Sequence, residues 1–166
     1  MKLRTILIMA AVLVVAAGWY LFRPERLFVN ARVNEGFPAA GSGKTAAATP
    51  SPALLAEGSF HDGAHKTAGT ATIHQLPDGK QVLRLTNFET SNGPDVHVYL
   101  VAAQDATDND TVTRAGFVEL GSLKGNIGDQ NYDLPAETDL TKYKAVTIWC
   151  RRFGVNFGTA PLMPRS

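Results

Sequence analysis

Hydrophobic and polar residues alternate in short segments along the second half of the chain. In one such segment Val96, Val98 and Leu100 are apolar at every second position, and His97 and Tyr99 lie between them. Because successive side chains of a β-strand point to opposite faces, this period of two predicts a strand. We expect the three aliphatic side chains to face a core, and His97 and Tyr99 to face the other side.

Seven segments have strand composition, and groups of glycine, proline, asparagine and aspartate separate them. They cover residues 58–60, 70–76, 81–88, 96–102, 117–123, 130–134 and 145–150. Many short strands between turns are typical of an antiparallel β-sandwich or barrel-like domain, so the predicted fold class is all-β. After Gly36 no stretch of helical periodicity is long enough to compete, although residues 139–144 are expected to form one helical turn.

The last of these segments carries the single cysteine of the chain. Val146, Ile148 and Cys150 share one face of the predicted strand, and Thr147 and Trp149 share the other. Apolar alternation resumes at residue 155, after a break with two arginines. A single cysteine excludes an internal disulfide. The thiol of Cys150 is therefore either a small hydrophobic group in the core or a reactive group beside the arginines, and both interpretations stay open.

The N-terminal part of the chain predicts a membrane anchor. Residues 6–22 are apolar without one charge, and basic residues flank both ends. About 17 to 20 such residues cross a bilayer as one helix. The alternative is a cleaved signal peptide, because small residues follow the first part of the run. Trp19 and Tyr20 continue the apolar run and suit a membrane interface, which favours the anchor.

We divide the chain into an anchor or signal peptide at residues 1–23, a juxtamembrane segment and linker at 24–53, and a β domain at 54–166. Residues 39–52 contain no large apolar side chain and are expected to be a flexible tether. We expect a single-pass protein of the cell membrane with its β domain outside the cytoplasm. That orientation rests on the short N-terminal tail, because the flanking charges do not settle it.

Charge and motif composition exclude several classes of function. The formal net charge is +1, so no strong field attracts nucleic acid. The four histidines and one cysteine lack the spacing of a zinc or copper site, and no metal site is predicted. His61 and His65 lie in a glycine-containing loop, where we expect solvated or backbone-bonded rings. Asp95 follows Gly93-Pro94, where a turn-stabilising role is expected rather than ligand binding.

Several segments together resemble one family, the electron-transfer DM-thirteen domain. The segments are GSF at 58–60, HKTAGTATI at 65–73, LRLTNFETSNGPDVHVYL at 83–100, LGSLKGNIGDQNYDLP at 120–135, and the stretch that begins with Trp149-Cys150 and continues to Leu162. The resemblance covers about residues 54–162. The combination is far more specific than any one segment.

The resemblance implies a β-sandwich-like domain in which Cys150 is a redox thiol or helps to hold a prosthetic group such as haem. Cys150 and His65 are the candidate cofactor-binding residues. The chain has no CxxCH motif, so haem would be bound non-covalently. Animal members of the family occur with DOMON and b-type cytochrome domains in cell-surface or matrix proteins. This chain has neither neighbour, so its electron partner would be a separate redox protein.

Three hypotheses follow. The first is a membrane-tethered, extracytoplasmic electron-transfer domain that works through Cys150. The alternative is a non-enzymatic binding or adhesion module at the cell surface, in which the cysteine is structural. The third is an enzyme that uses Cys150 with a histidine such as His65.

Overall fold

A computed structural model describes residues 3–22, 29–38 and 51–165. The helices and strands follow in chain order: α1 (Leu3–Phe22), β1 (Ala53–Ser59), β2 (His61–Asp62), β3 (Ala68–Gln75), β4 (Gln81–Glu89), β5 (Val96–Val101), α2 (Asn109–Ala115), β6 (Phe117–Ser122), β7 (Gln130–Asp133), β8 (Ala145–Cys150), β9 (Val155–Pro161) and β10 (Met163–Pro164).

The strands form two antiparallel sheets that pack face to face. One sheet has the order β10-β1-β3-β4-β7 and the other β2-β9-β8-β5-β6. Both sheets contribute fully buried side chains to one hydrophobic core, among them Ala71, Ile73, Leu83, Leu85, Val98, Leu100, Val146 and Ile148. This arrangement confirms the all-β prediction and decides between its two forms in favour of the sandwich.

Strand β8 is buried on both faces, and all six of its residues are inaccessible or nearly so. It lies between β5 and β9 in the second sheet. The predicted alternation is confirmed, because Val146, Ile148 and Cys150 belong to the core between the sheets. Trp149 belongs to a second cluster on the outer face of the sheet, which α2 covers with Val112.

Helix α2 was not expected from the sequence. It has only seven residues and one buried side chain, Val112, so its sequence shows no helical repeat of apolar residues. Its start is fixed locally, because the carboxylate of Asp108 accepts a hydrogen bond of 2.7 Å from the Thr111 amide. The helical turn predicted at residues 139–144 is present as a turn in which the Tyr143 amide donates to the Asp139 carbonyl (3.0 Å).

Helix α1 is long and apolar enough to cross a membrane. An 18-residue stretch of it, Leu3–Tyr20, has a mean hydropathy of 1.9, and none of that stretch is buried against the protein. A signal sequence near an N-terminus has the same length and composition. The helix is therefore a candidate membrane span.

Residues 29–38 are attached to the β domain, although the sequence assigned them to the juxtamembrane segment and linker. The amides of Val33 and Glu35 donate to the carbonyls of Ile127 and Asp129, each at 2.9 Å. Arg32 forms a parallel bridge with Ile127. Most of the expected tether, residues 39–50, lies outside the described residues, and the three-part division of the chain stays a prediction.

The Glu35 carboxylate fastens this segment to the domain. It accepts hydrogen bonds from Lys124 Nζ (2.8 and 2.9 Å) and from the Asn131 amide (2.7 Å). Partial burial raises the pKa of Glu35, but the hydrogen bonds from Lys124 and Asn131 outweigh it, and the pKa is lowered overall. The ionised carboxylate is the form that the folded protein favours.

Replacing Glu35 with Gln is expected to lower the free energy of unfolding by about 1 kcal/mol near neutral pH, the usual value for a partly exposed charged contact. The folded pKa lies below the ordinary value of 4.5. The contribution of Glu35 is therefore present above that value and is lost as the pH falls through the folded pKa. Urea unfolding curves at about pH 7 and about pH 3 measure this difference.

The matched control is Glu89→Gln, which removes an exposed carboxylate at the end of β4. It is expected to change stability by less than about 0.5 kcal/mol at either pH. A loss in Glu35→Gln that is equally large at both pH values would contradict the assignment.

Candidate functional site around Cys150 and the adjoining groove

Cys150 is the last residue of β8, and its side chain has 0% exposure. In the sheet it pairs with Val96 of β5 and Val155 of β9. Its cluster in the core includes Ile148 and Phe157. The sulfur is thus enclosed by hydrophobic side chains at one end of the sandwich.

The loop before β5 packs directly on this end of the core. A Cβ atom on Gly93 would lie 2.6 Å from Cγ2 of Val96 and 2.9 Å from Cζ of Phe157, both shorter than ordinary contacts. Only glycine allows such a close approach. Since Val96 and Phe157 belong to the same cluster as Cys150, the loop covers the sulfur's end of the core without a gap for a side chain.

A groove of about 490 Å³ lies on the outer side of this loop. Two loops form its walls, residues 91–96 and residues 122–126, and the attached N-terminal segment adds Val29 and Ala31. Its polar lining residues are Ser91, Asn92, Asp95, Ser122, Lys124 and Asn126. The groove therefore has a mixed polar and apolar lining, and one of its lining residues, Val96, also belongs to the core cluster.

A buried amide holds one wall of the groove. Gln130 is fully buried, and its Nε2 donates to the Gly125 carbonyl (2.8 Å). Its Oε1 accepts from the Tyr132 hydroxyl (2.7 Å) and the Lys124 amide (3.2 Å). Burial raises the pKa of Tyr132, so the hydroxyl stays a donor throughout the physiological range. A fully satisfied buried network of this kind makes the loop rigid.

The other wall carries a charged cluster around His97. Its Nε2 donates to Asp95 Oδ1 (2.8 Å), and its Nδ1 lies 2.7 Å from Glu119 Oε1 without hydrogen-bond geometry. Arg151 Nε donates to Asp95 Oδ2 (3.2 Å). Burial raises the pKa of Asp95, but the hydrogen bonds from His97 and Arg151 outweigh it and lower the pKa overall. Asp95 was expected to stabilise its turn. In the structure its carboxylate accepts hydrogen bonds from the side chains of His97 and Arg151.

Aromatic rings continue from this cluster along the outer face of the sheet. Tyr99 stacks on Phe117 at 4.3 Å between ring centroids and lies 6.3 Å from Trp149. Burial raises the pKa of Tyr99. The alternation of β5 placed His97 and Tyr99 on one face, as predicted. No local pattern in the sequence indicates that Glu119 and Arg151 join this cluster.

His65 lies in the loop after β2 and is half-buried. Its ring packs on Phe157 at 3.9 Å between centroids, and its amide donates to the Phe157 carbonyl (3.2 Å). His65 thus contacts a member of the Cys150 cluster, while its role in cofactor binding stays a prediction. His61 instead pairs with Asp105 at 2.8 Å, and this hydrogen bond raises the pKa of His61.

The residues around Cys150 do not fit haem. Haem proteins use histidine, cysteine, methionine or tyrosine as axial ligands, and none of these lines the groove. Cys150 itself has no exposed surface, and hydrophobic side chains fill the space around it. Within the described ranges, no three His, Cys, Asp or Glu side chains are grouped so that they could hold a metal ion.

We expect the thiol of Cys150 to be inert towards a water-soluble disulfide reagent in the folded protein and to react fully after unfolding, because it has no exposed surface. Labelling with and without denaturant measures this difference. In a Cys150→Ala background, Ser122→Cys places a thiol in the groove and is the positive control, since Ser122 is exposed. Labelling of folded wild-type protein at the rate of the Ser122→Cys variant would contradict the burial.

Comparison with known proteins gives one match, to a protein family. The family model described as Electron transfer DM13 matches residues 59–162, more than half of the chain. The matched range contains Cys150, His65, the His97 cluster and both groove loops. No curated protein matches, and no solved structure matches. The chain therefore belongs to the electron-transfer DM13 family, the one that its sequence segments resemble.

Proposed function

We propose that this protein is a membrane-anchored electron-transfer domain that lies outside the cytoplasm, with Cys150 as its redox residue. The observation that carries the proposal is the family match, which covers β2 to β9 and includes Cys150. The anchor is α1, whose apolar stretch has the length of a bilayer span.

The position of Cys150 limits how such a domain works. A buried sulfur neither attacks a disulfide nor binds a metal from solution, because both reactions require contact with the sulfur atom. An electron has no such requirement and crosses packed side chains between donor and acceptor. Gly93 and Val96 line the groove, and Val96 and Phe157 belong to the same core cluster as Cys150. The groove is therefore the place where we expect a redox partner to dock.

An electron-transfer role for Cys150 must also account for the proton of its thiol. One-electron oxidation of a thiol releases a proton as well as an electron. In the hydrophobic cluster that contains Cys150, the other titratable side chains are those of Tyr132 and the partly buried Tyr143. A redox couple at Cys150 in which the electron passes to the docked partner and the proton passes to solvent would depend on pH, by about 59 mV per pH unit for one electron and one proton.

The second candidate function is a binding module in which Cys150 only packs the core. The enclosed sulfur favours this function, since free cysteines are among the most buried residues of proteins. The preformed groove with its hydroxyl, amide and charged lining is then a ligand site without redox chemistry. The two candidate functions differ in whether the sulfur is needed for an electrochemical signal.

We expect the full chain, purified in detergent and studied by protein-film voltammetry, to give a redox couple that disappears in Cys150→Ala. The couple is expected to fall by about 59 mV per pH unit. Ile73→Val is the matched control: it removes one methylene from the core, costs about 0.5 to 1.5 kcal/mol and keeps the sulfur. The control is expected to retain the couple.

Two outcomes would contradict the electron-transfer proposal. One is the absence of any couple in the wild-type chain, and the other is a couple that survives in Cys150→Ala. Either outcome leaves the binding module as the supported function. Titration with haem is a separate check, in which we expect no saturable Soret band because the residues do not fit haem.

A further inference from the structure

The turn between β8 and β9 presents an aromatic side chain to solvent. Phe153 is 67% exposed at this turn, and Arg151 and Arg152 precede it with exposed side chains. Gly154 has a φ of +62°, a conformation that favours glycine and closes the turn tightly. The turn therefore combines a large apolar ring with two cationic side chains.

This turn lies at the same end of the sandwich as the groove. The Arg151 amide donates to the Asp95 carbonyl (2.9 Å), and the Arg151 side chain pairs with the Asp95 carboxylate. Asp95 lines the groove together with Val29 of the N-terminal segment. Strand β4 begins at the opposite end, so its turn with β3, at residues 77–80, lies far from the groove.

The chain between α1 and this end of the sandwich is short. Helix α1 ends at Phe22 and the attached segment begins at residue 29, so six residues join them. Fully extended, this connection spans at most about 25 Å. The longer stretch at residues 39–52 adds no reach, because it follows the segment that is hydrogen-bonded to Ile127 and Asp129. The end of the domain that carries the groove therefore lies within about 25 Å of the C-terminal end of α1.

We propose that the turn at residues 151–154 contacts the bilayer that anchors α1, with Phe153 in the interfacial region and the arginines towards anionic phospholipid head groups. The inference rests on the membrane anchor of the proposed function. Aromatic side chains favour the membrane interface, and arginine is attracted to anionic lipid. Arg151 already forms ion pairs with Asp95 and Glu119. Phe153 is therefore the main contact of the turn with the bilayer.

One exposed ring would bind a membrane weakly if the domain were free in solution. The anchor changes this, because α1 makes the contact intramolecular and raises the effective concentration of the turn at the lipid surface. The contact also fixes which end of the sandwich faces the bilayer. The turn at residues 77–80 then points away from the membrane.

The test uses tryptophan fluorescence of the full chain in nanodiscs that contain anionic lipid. Phe153→Trp is compared with Lys80→Trp, which places the same ring on the exposed turn at the opposite end. Both variants carry Trp19→Phe to remove the helix signal, and both keep the buried Trp149 as a common background. The quencher is a phospholipid brominated in the acyl chain near the head group.

We expect brominated lipid to reduce the emission of the tryptophan at position 153 about two-fold and to leave that at position 80 unchanged. Equal quenching at both positions, or none at position 153, would overturn the inference. Flotation with lipid vesicles tests the anchor separately, and a chain that does not float overturns the anchor and this inference together. Loss of the redox proposal for Cys150 leaves the fluorescence result unaffected, so the two failures are distinguishable.

Discussion

The burial of β8 on both faces is the constraint on which the rest of the structure depends. An interior strand with both faces covered needs side chains that can be buried. Five of the six residues of β8 are apolar, and the buried hydroxyl of Thr147 is hydrogen-bonded to that of Thr159 (3.0 Å). The inward face closes the core with Val146, Ile148 and Cys150. The outward face needs a separate cover, which α2 and the loop before it provide through Val112 and Ala106. Cys150 is therefore part of the structural centre of the domain.

The same strand organises one end of the sandwich. Where β8 ends, the chain turns back through Arg151 and exposes Phe153, and the neighbouring strand β5 begins beside it at Val96. The loops that precede β5 and follow β6 then meet above the core and enclose the groove. Gln130 fixes one of these loops, and the contacts of Asp95 with His97 and Arg151 fix the other. The rigidity of the groove thus comes from polar groups that the core strands position.

The N-terminal segment belongs to this end as well. Its backbone hydrogen bonds to Ile127 and Asp129 and the carboxylate of Glu35 attach it to the loop that Gln130 stabilises. The groove, the exposed turn and the connection to α1 are therefore coupled through one set of loops. Only six residues of chain separate α1 from the first described residue of this segment.

The sequence predicted the strands because period-two alternation is a local property, which β5 carries from Val96 to Leu100 and β4 carries at Leu83 and Leu85. The same period of two correctly predicted which face of the sheet each of His97, Tyr99 and Cys150 occupies. The charged cluster was not predictable, because Glu119 comes from β6 and Arg151 from the turn after β8, and no local pattern encodes their pairing with each other or with Asp95 and His97. The attachment of residues 29–38 was missed for a similar reason. Its bonds use main-chain groups, which every sequence offers, and the carboxylate of Glu35, whose partners Lys124 and Asn131 lie 89 and 96 residues further along the chain.

Because the sulfur of Cys150 is enclosed, the structure limits the kinds of redox chemistry that this member of the family can carry out. Chemistry that forms a bond to sulfur needs an open path to the atom, and in this structure Val96, Phe157 and the loop at Gly93 close it. Transfer of an electron alone needs no such path, because an electron crosses packed side chains, and Gly93 forms a closely packed layer with Val96 and Phe157 at this end of the core. A structural role and an electron-transfer role for Cys150 therefore both require close packing around the sulfur. The two roles differ in which molecule docks on the outer side of that layer.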